Sequence, residues 1–347
     1  DVKPKIRYRN NLSKRHFATM ISLKSVSQDV PRVTSETLLE NPHTYLKAAT
    51  APNTRKAYQS DIQHFMNAGG LLPASTEGVL CYLHQFATQL NARTLQRRLT
   101  ALKQWHLTQG FPDPTAHPLV HKTVTGIYHV HGKPAVKAPA LSLDHLTQLA
   151  QYLQASDKLA HGRDNALLQI GFFGAFRRSE LVAIQWGHVS FVSEGVEILI
   201  PRSKTDQAGE GVICAIPYGH DALCPVEALK IWHEKSGSPT NGFVFSPITK
   251  SGTLSPQALS TNSVNILLKQ HATACQLPQA NAYSGHSLRR GFATGAAQKG
   301  ATLGAIMRQG RWRQSSTVHG YVEEGQRFEA NAAGLLLDSN TSKMKPD

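Results

Sequence analysis

The residues best equipped for chemistry lie between Gly285 and Val322, in the stretch G-H-S-L-R-R-G-F-A-T-G-A-A-Q-K-G-A-T-L-G-A-I-M-R-Q-G-R-W-R-Q-S-S-T-V-H-G-Y-V. His286 and Arg289 stand three apart at a predicted helix start, so both point the same way beside backbone N–H groups that favour anions. Arg289 offers a flat fork of donors that fits two phosphate oxygens at once. Trp312 brings one indole N–H, and Tyr321 a hydroxyl that could attack phosphorus. Further upstream, R-D-N-A-L-L-Q-I-G-F-F-G-A-F-R-R-S-E-L-V-A-I-Q-W places Arg177 at the mouth of a helix, another good anion position. Its neighbour Arg178 competes for that role and reads equally well as surface charge. Taken singly, each residue has a plainer reading. An isolated H-x-x-R is a solvated helix start, and a Tyr in a valine stripe is the edge of a core.

The elements that must carry these groups follow from periodicity and caps. Three short helices are predicted over the stretch. The first starts at Ser287 or its neighbour and ends at Gly300, a left-handed C′ position. The second is capped by Thr302 and carries Leu303, Ile306 and Met307 on its apolar face. The third is capped by Ser315 or Ser316, with Val318, Tyr321 and Val322 sharing a stripe. Around Arg177, an apolar helix ends near Gly174 and another starts near Ser179, packing through Leu181 and Ile184. V-E-I-L-I-P and V-I-C-A-I-P read as two β-rich runs flanking the polar turn R-S-K-T-D-Q-A-G-E-G. Helices are also expected in C-P-V-E-A-L-K-I-W-H and from near Ser260. There Asn262 is either a plain capping residue or a group able to pair with adenine.

The 347 residues suffice for two ordinary domains. A net charge of +14 points to a polyanionic partner, with nucleic acid ahead of an acidic membrane. No apolar run of about 18 residues and no secretory leader pattern is present in the sequence. Cys81, Cys214, Cys224 and Cys275 lack C-x-x-C spacing, so free thiols in a reducing cytoplasm are the simplest account. His129-x-His131 and His271-x-x-x-Cys275 could be metal half-sites, but neither has a companion pair. The boundaries read as a basic, flexible arm over 1–40, a helical domain over 41–129, a linker over 130–142 and a second domain over 143–347 with a tail from 323. The first 24 residues carry seven Lys/Arg against Asp1 alone. In the helical domain one helix carries Arg55 and Lys56 with Tyr58, Ile62 and Phe65 in register, and a second runs from Thr76 to Leu90. A third runs from Ala92 to Gln109 and carries Arg93, Arg97, Arg98 and Lys103. These basic residues are candidates for nucleic-acid contact or, equally, a solvated face.

H-x-x-R, then G-R-W, then a Tyr nine residues after the Trp resembles the second half of the tyrosine recombinase (phage integrase) active site, in wording closest to the Cre-like branch. The first half is present too: G-A-F-R-R-S-E-L is similar to the family box T-G-L-R-x-S-E-L. The resemblance spans roughly residues 45 to 338. It implies a mainly α fold with a small antiparallel β-sheet, an α+β catalytic domain behind a helical (SAM-like) core-binding domain, the two closing as a clamp around DNA. It assigns Arg177, Lys204, His286, Arg289, Trp312 and Tyr321 as catalytic and Glu180 as a supporting acid. Lys204 rests on the resemblance alone, since lysines in hairpin turns are common.

The chemistry so implied is strand exchange. Two arginines neutralise the non-bridging oxygens, Trp312 adds a donor, and Tyr321 attacks to give a 3′-phosphotyrosyl DNA. Lys204 as an ammonium is the acid for the departing 5′-oxygen, and His286 is a possible base. The ester stores the bond energy, so neither ATP nor a metal cofactor is called for. The expected partners are double-stranded DNA with inverted-repeat sites, three further copies in a tetramer acting through a four-way junction, and accessory directionality factors. Integration, excision and resolution of a mobile element remain open, as do tail docking in cis or in trans and a nucleoid-associated bacterial or phage setting. Three rivals stand beside this: a type IB topoisomerase-like enzyme that reseals one duplex, a DNA-binding accessory protein without catalysis, and a membrane-surface basic protein.

Overall fold

A computed structural model describes residues 49–134, 136–201, 211–327 and 333. The arm over 1–40, Lys204 and almost all of the tail beyond Arg327 lie outside the described residues. The chain divides between Ala135 and Val136 into two compact units.

The first unit is helical: α1 (Pro52–Asn67), α2 (Thr76–Phe86), α3 (Ala92–Gln109) and α4 (Pro118–His131). Proline at its first position opens α1, the Ser75 hydroxyl caps α2, and the Asn91 side chain caps α3. Gly110, left-handed at φ +77, closes α3. Phe65, Val79, Leu83, Leu95, Leu102 and Val120 fill the centre. Each buried aliphatic or aromatic side chain contributes about 1.5–3 kcal/mol of transfer free energy. Two expectations shift here. Helix α2 ends at Phe86 rather than Leu90, and α4 absorbs His129 to His131 because its valines and Ile127 keep helical register to the last turn.

The second unit holds α5 (Leu143–Gln154), α6 (Leu159–Phe173), α7 (Arg178–Val182), strands β1 (Val189–Val192), β2 (Gly195–Ile200) and β3 (Val212–Pro217), then α8 (Pro225–Lys235), α9 (Thr261–Ala274), α10 (Gly285–Gln298), α11 (Leu303–Gly310) and α12 (Ser315–Gly325). The sheet is antiparallel in the order β1-β2-β3, with Val189 opposite Ile198 and Leu199 opposite Ile213. Strand β1 is absent from the sequence reading because it is four residues long and mostly exposed, so it leaves no alternation to see. Helix α6 has Asp164 through Phe172 buried without a break and forms the axis of this unit. Its main core includes Leu149, Ile170, Phe172, Leu181, Ile198, Trp232, Phe245 and Leu288.

A separate small core supports the end of the chain. Ala293 and Ala297 of α10, Ile306 of α11 and Val318 of α12 are buried together, with Trp312 and Tyr321 packed against them. Both α10 and α11 are capped by hydroxyls, those of Ser284 and Thr302. Helix α12 differs from expectation: Ser315 is its first residue, Gln314 takes the cap position, and no side chain caps it. The segment leading into this unit is pinned to α10, since the Leu141 N–H donates to the Ser287 carbonyl at 3.0 Å. Gly291 is required there, because a Cβ would stand 2.0 Å from the Leu141 carbonyl oxygen. No helix among the described residues is long and apolar enough to cross a membrane.

Candidate active site

The centre of the site is a single carboxylate. Helix α6 ends at Gly174, and the chain reverses through Ala175, buried at φ +45, before α7 begins. That turn delivers Arg177 to the N-cap of α7 and Glu180 to its first turn. Glu180 accepts the Arg177 backbone N–H at 3.0 Å and the Arg177 guanidinium at 2.5 Å. Arg311 approaches the same carboxylate from the other side at 3.4 Å. Burial raises the Glu180 pKa, but Arg311 and Arg177 outweigh it and hold the carboxyl below its ordinary value.

Arg289 comes from the second turn of α10 and is buried. It donates through Nη1 to the Ala175 carbonyl, while its guanidinium carbon lies 3.9 Å from the centre of the Trp312 ring. Cation–π stacking of this kind fixes the plane of the fork. Trp312 can fold back over Arg289 because Gly310 has no side chain; a Cβ there would meet the ring at 1.8 Å. The Arg289 Nη2 is buried without a hydrogen-bond partner among the described residues. Burial first, then the charges of Arg177 and Arg311, pull its pKa down to about 9 although Glu180 and Tyr321 oppose them. A buried cation with an unspent donor and too little counter-charge is a receptor for an anion.

Tyr321 sits on α12 with its ring centroid 6.1 Å from that of Trp312 and 5.8 Å from the Arg290 guanidinium. Arg290 pairs with Glu324, one turn beyond Tyr321, and also donates to the Ala138 carbonyl at 2.6 Å. His286 is exposed at the start of α10. Partial burial of its ring, then the charges of Arg178 and Arg289, keep its pKa below the ordinary histidine value. The neutral imidazole is therefore favoured near neutral pH.

The structure thus brings Arg177, Glu180, Arg289, Trp312 and Tyr321 into one neighbourhood, with His286 at its edge. One expectation changes. The helix-start amides expected to favour an anion are already taken: Gly285 N–H donates to the Asn265 side chain at 2.9 Å and His286 N–H to the Ser284 hydroxyl at 3.3 Å. Binding falls to side chains. Arg178 lays its stem over Gly285, whose Cβ would meet it at 2.2 Å. Sequence reasoning missed Arg311, although it stands inside the quoted G-R-W. A cation after the last turn of a helix reads as a dipole partner facing water. Its inward turn depends on a left-handed φ of +55, which no spacing rule reveals.

In the first unit the basic candidates separate. Arg55, Lys56 and Arg93 are exposed on α1 and α3. Lys103 lies 3.8 Å from Asp113. Arg97 grips buried Asp61 with two bonds of 2.8 Å. Arg98 is turned inward, bonding Tyr82 at 2.7 Å and His64 at 2.8 Å with its Nε 3.4 Å from Asp61. Asn262 is exposed in the first turn of α9, where its carbonyl accepts from the Asn265 side chain at 3.5 Å. Of the metal half-site residues, His271 is spent on Asp164 at 2.8 Å.

Comparison with known proteins gives these arrangements a context. The model of the phage integrase family matches residues 140–327. An integrase/recombinase xerD homolog from Selenomonas ruminantium is 38% identical over 303 residues, covering 84% of this chain and 88% of that protein. The recombinase cre of Escherichia phage P1 is 27% identical over 284 residues, covering 77% and 81%. Among solved structures, a lambda integrase dimer bound to a COC' core site shares the fold at a TM-score of 0.53 and 17% identity, covering 84% of this chain and 77% of that one. The Tn1549 transposon integrase in complex with circular intermediate DNA aligns at 0.55 and 12% identity, covering 83% and 92%.

Proposed function

Since the chain belongs to the phage integrase family, whose members cut and rejoin DNA strands at specific sites, we propose that Tyr321 is its nucleophile and Arg177 and Arg289 its phosphate clamp. The observation that carries this reading is the buried, underpartnered Arg289 fork held against Trp312 beside Tyr321. A phosphodiester resists attack because its oxygens are negatively charged. Two guanidiniums on the non-bridging oxygens offset that charge as the pentacoordinate state forms. The Tyr321 oxygen bonds to phosphorus, the bond to the 5′-oxygen breaks, and a 3′-phosphotyrosine remains. The phenol proton goes to His286, whose depressed pKa keeps it neutral, or to solvent. Lys204 is assigned as the acid for the 5′-oxygen on the family resemblance. A 5′-hydroxyl from a second duplex then attacks the phosphotyrosine, which exchanges strands without a metal or ATP.

The partner in this reading is duplex DNA, with Lys56 and Arg93 as the exposed contacts offered by the helical unit. Four copies on two inverted-repeat sites, a four-way junction, and a role in moving or resolving a genetic element complete it. The test is Tyr321→Phe on a nicked suicide duplex: normal DNA binding and no covalent adduct are expected. An adduct at wild-type yield would remove Tyr321 from the mechanism. Lys204→Ala should fail on ordinary DNA and recover on a 5′-bridging phosphorothiolate, because a thiol leaving group (pKa about 8.5) needs little proton help. Failure on both substrates would reduce Lys204 to a DNA contact.

A further inference from the structure

We propose that Arg311 is a positioning residue of the phosphate site, acting through Glu180 to orient Arg177 and to keep the net charge of the arginine cluster matched to a dianion. The inference rests on the reading of Tyr321 and the arginine clamp given above.

Arg311 adopts φ +55, a region that L residues other than Gly, Asn and Asp rarely enter. Its side chain is 6% exposed, and unlike Arg289 it has both Nη atoms bonded to protein carbonyls, with only its buried Nε unmatched among the described residues. Its contacts are with the end of its own helix, the turn over 174–180 and Cys214 of β3. Nη1 donates to the Gln309 carbonyl at 2.9 Å, and Nη2 to the Gly174 carbonyl at 3.0 Å. Nη2 also lies 3.5 Å from the Ala175 carbonyl oxygen, the acceptor that Arg289 uses, and 3.4 Å from the Glu180 carboxylate. The guanidinium rests over the Phe176 ring at 4.6 Å. One buried cation therefore ties the end of α11 to the 174–180 turn that presents Arg177.

The charge argument is independent of these contacts. Arg177 and Arg311 pair with one carboxylate and Arg289 lies within its field, so these four groups carry a net charge of +2, the Lys204 ammonium assigned above being counted apart as the proton donor. A phosphodiester carries one negative charge, and attack by a phenolate produces a phosphorane with two. The surplus thus suits the state formed during reaction better than the ground state, as electrostatic catalysis requires. Without Arg311 the surplus falls to +1, and the whole of Glu180's charge is set against Arg177. Arg177 would then be held more firmly by the protein and less by DNA. The other ionisable groups near the cluster are His286 and Tyr321 from α10 and α12, Cys214 from β3 and Arg178 from α7.

The test is a double-mutant cycle with opposite signs expected on its two arms. Full-length Arg311→Gln should still form its DNA complex, with only a small loss of affinity, while its rate of adduct formation per bound nicked duplex drops on the order of a hundredfold. Glu180→Gln alone should slow wild type. Added to Arg311→Gln, it should instead speed adduct formation by about tenfold, because it restores the +2 surplus. A wild-type rate for Arg311→Gln, or a further loss from Glu180→Gln in that background, would overturn the proposal and leave Arg311 as a brace for the fold. Arg311→Lys keeps the charge and loses the fork, so Glu180→Gln should not rescue it. A rescue there would also overturn the charge argument, and this arm remains decisive if Arg311→Gln does not fold. Tyr321→Phe run in parallel separates the premises: an adduct in that variant removes the nucleophile assignment, whereas the sign of the Glu180 effect reports on Arg311 alone.

Discussion

Each unit of this protein buries an acid beneath arginines, and the two clusters are built to different ends. In the helical unit, Asp61 is 2% exposed and takes two bonds from Arg97, with Arg98 beside it. Arg98 then donates through Nη1 to Tyr82 and His64, while its Nε lies 3.4 Å from the Asp61 carboxylate without a hydrogen bond. In the catalytic unit, Glu180 faces Arg177 and Arg311, Arg289 is packed close by, and the Arg289 Nη2 is unmatched. The residue types are the same. Two cations to one anion, both ion-paired with it, make a brace. Each cluster has a buried donor without a hydrogen bond among the described residues, Arg98 Nε in one and Arg289 Nη2 in the other, but Arg98 Nε lies 3.4 Å from the Asp61 carboxylate whereas Arg289 is ion-paired with no carboxylate among the described residues. In our reading a site for an anion is marked by a cation without a carboxylate partner and by surplus charge rather than by the presence of arginine.

The comparison breaks most visibly if its acids and bases are removed one at a time. Asp61→Ala strands Arg98, whose side chain is 11% exposed, and loss of one partner of a buried pair costs about 3–5 kcal/mol. Urea unfolding of the full chain should register that loss in the transition of the helical unit. An unchanged midpoint would mean the Asp61 cluster is no brace. Arg289→Lys should leave unfolding nearly alone and cost about 3 kcal/mol, or 10²-fold, in adduct formation, because the ammonium keeps charge and loses the planar fork. Arg177→Lys should behave likewise. Arg98→Lys should leave the rate per bound complex unchanged. Equal losses from Arg98→Lys and Arg289→Lys would erase the distinction, and a loss from Arg178→Lys with a silent Arg177→Lys would shift the first box by one residue.

Much of this was legible in the sequence for a physical reason. Helices α3 and α10 carry side-chain caps, a glycine stop and an apolar stripe, and α11 a hydroxyl cap and an apolar stripe, so local and global preferences agree, although α10 starts at Gly285, ahead of the expected Ser287. Arg177, Glu180, Arg289, Trp312 and Tyr321 stand at fixed intervals from those signals, and their convergence follows from the motif order. What was not legible depends on non-local contacts. Whether Arg97 and Arg98 face solvent or Asp61 is decided by a residue 36 positions away. Arg311 turns inward because of its backbone conformation and the carbonyls of a turn over 130 residues distant. Strand β1 exists because β2 offers it an edge.

A smaller effect concerns acid. Arg311 and Arg177 depress the Glu180 carboxyl below its ordinary 4.5 despite burial, so folding is favoured while that group is ionised. The sign follows from linkage: this contribution is complete above the unfolded value near 4.5 and is lost as pH falls through the lower folded value. Thermal unfolding of wild type should therefore weaken more steeply between about pH 4.5 and pH 3 than that of Glu180→Gln, which has no such group to protonate. Parallel curves for the two proteins would show that Glu180 is not held ionised by its arginines.

The smallest expected effect is the sharpest test of what a spent arginine means. A cation that neutralises a DNA phosphate releases condensed counterions, and each such contact contributes about 0.9 to the slope of log affinity against log salt. A guanidinium already paired with a carboxylate has little charge left to offer and should contribute almost nothing. Arg97 illustrates the point, because its side chain is 53% exposed and would count as a contact on exposure alone. Its two bonds to Asp61 argue otherwise. Arg93, one turn earlier on α3, and Lys56 on α1 are exposed too. Replacing Arg93 or Lys56 with Gln should lower the slope by about one each, whereas Arg97→Gln should leave it unchanged at the same protein stability. Binding is measured by titrating labelled duplex over a salt series, with unfolding run on the same samples. If Arg97→Gln removes a full unit of slope, then DNA competes successfully for a paired guanidinium, and the Asp61 cluster is a receptor after all.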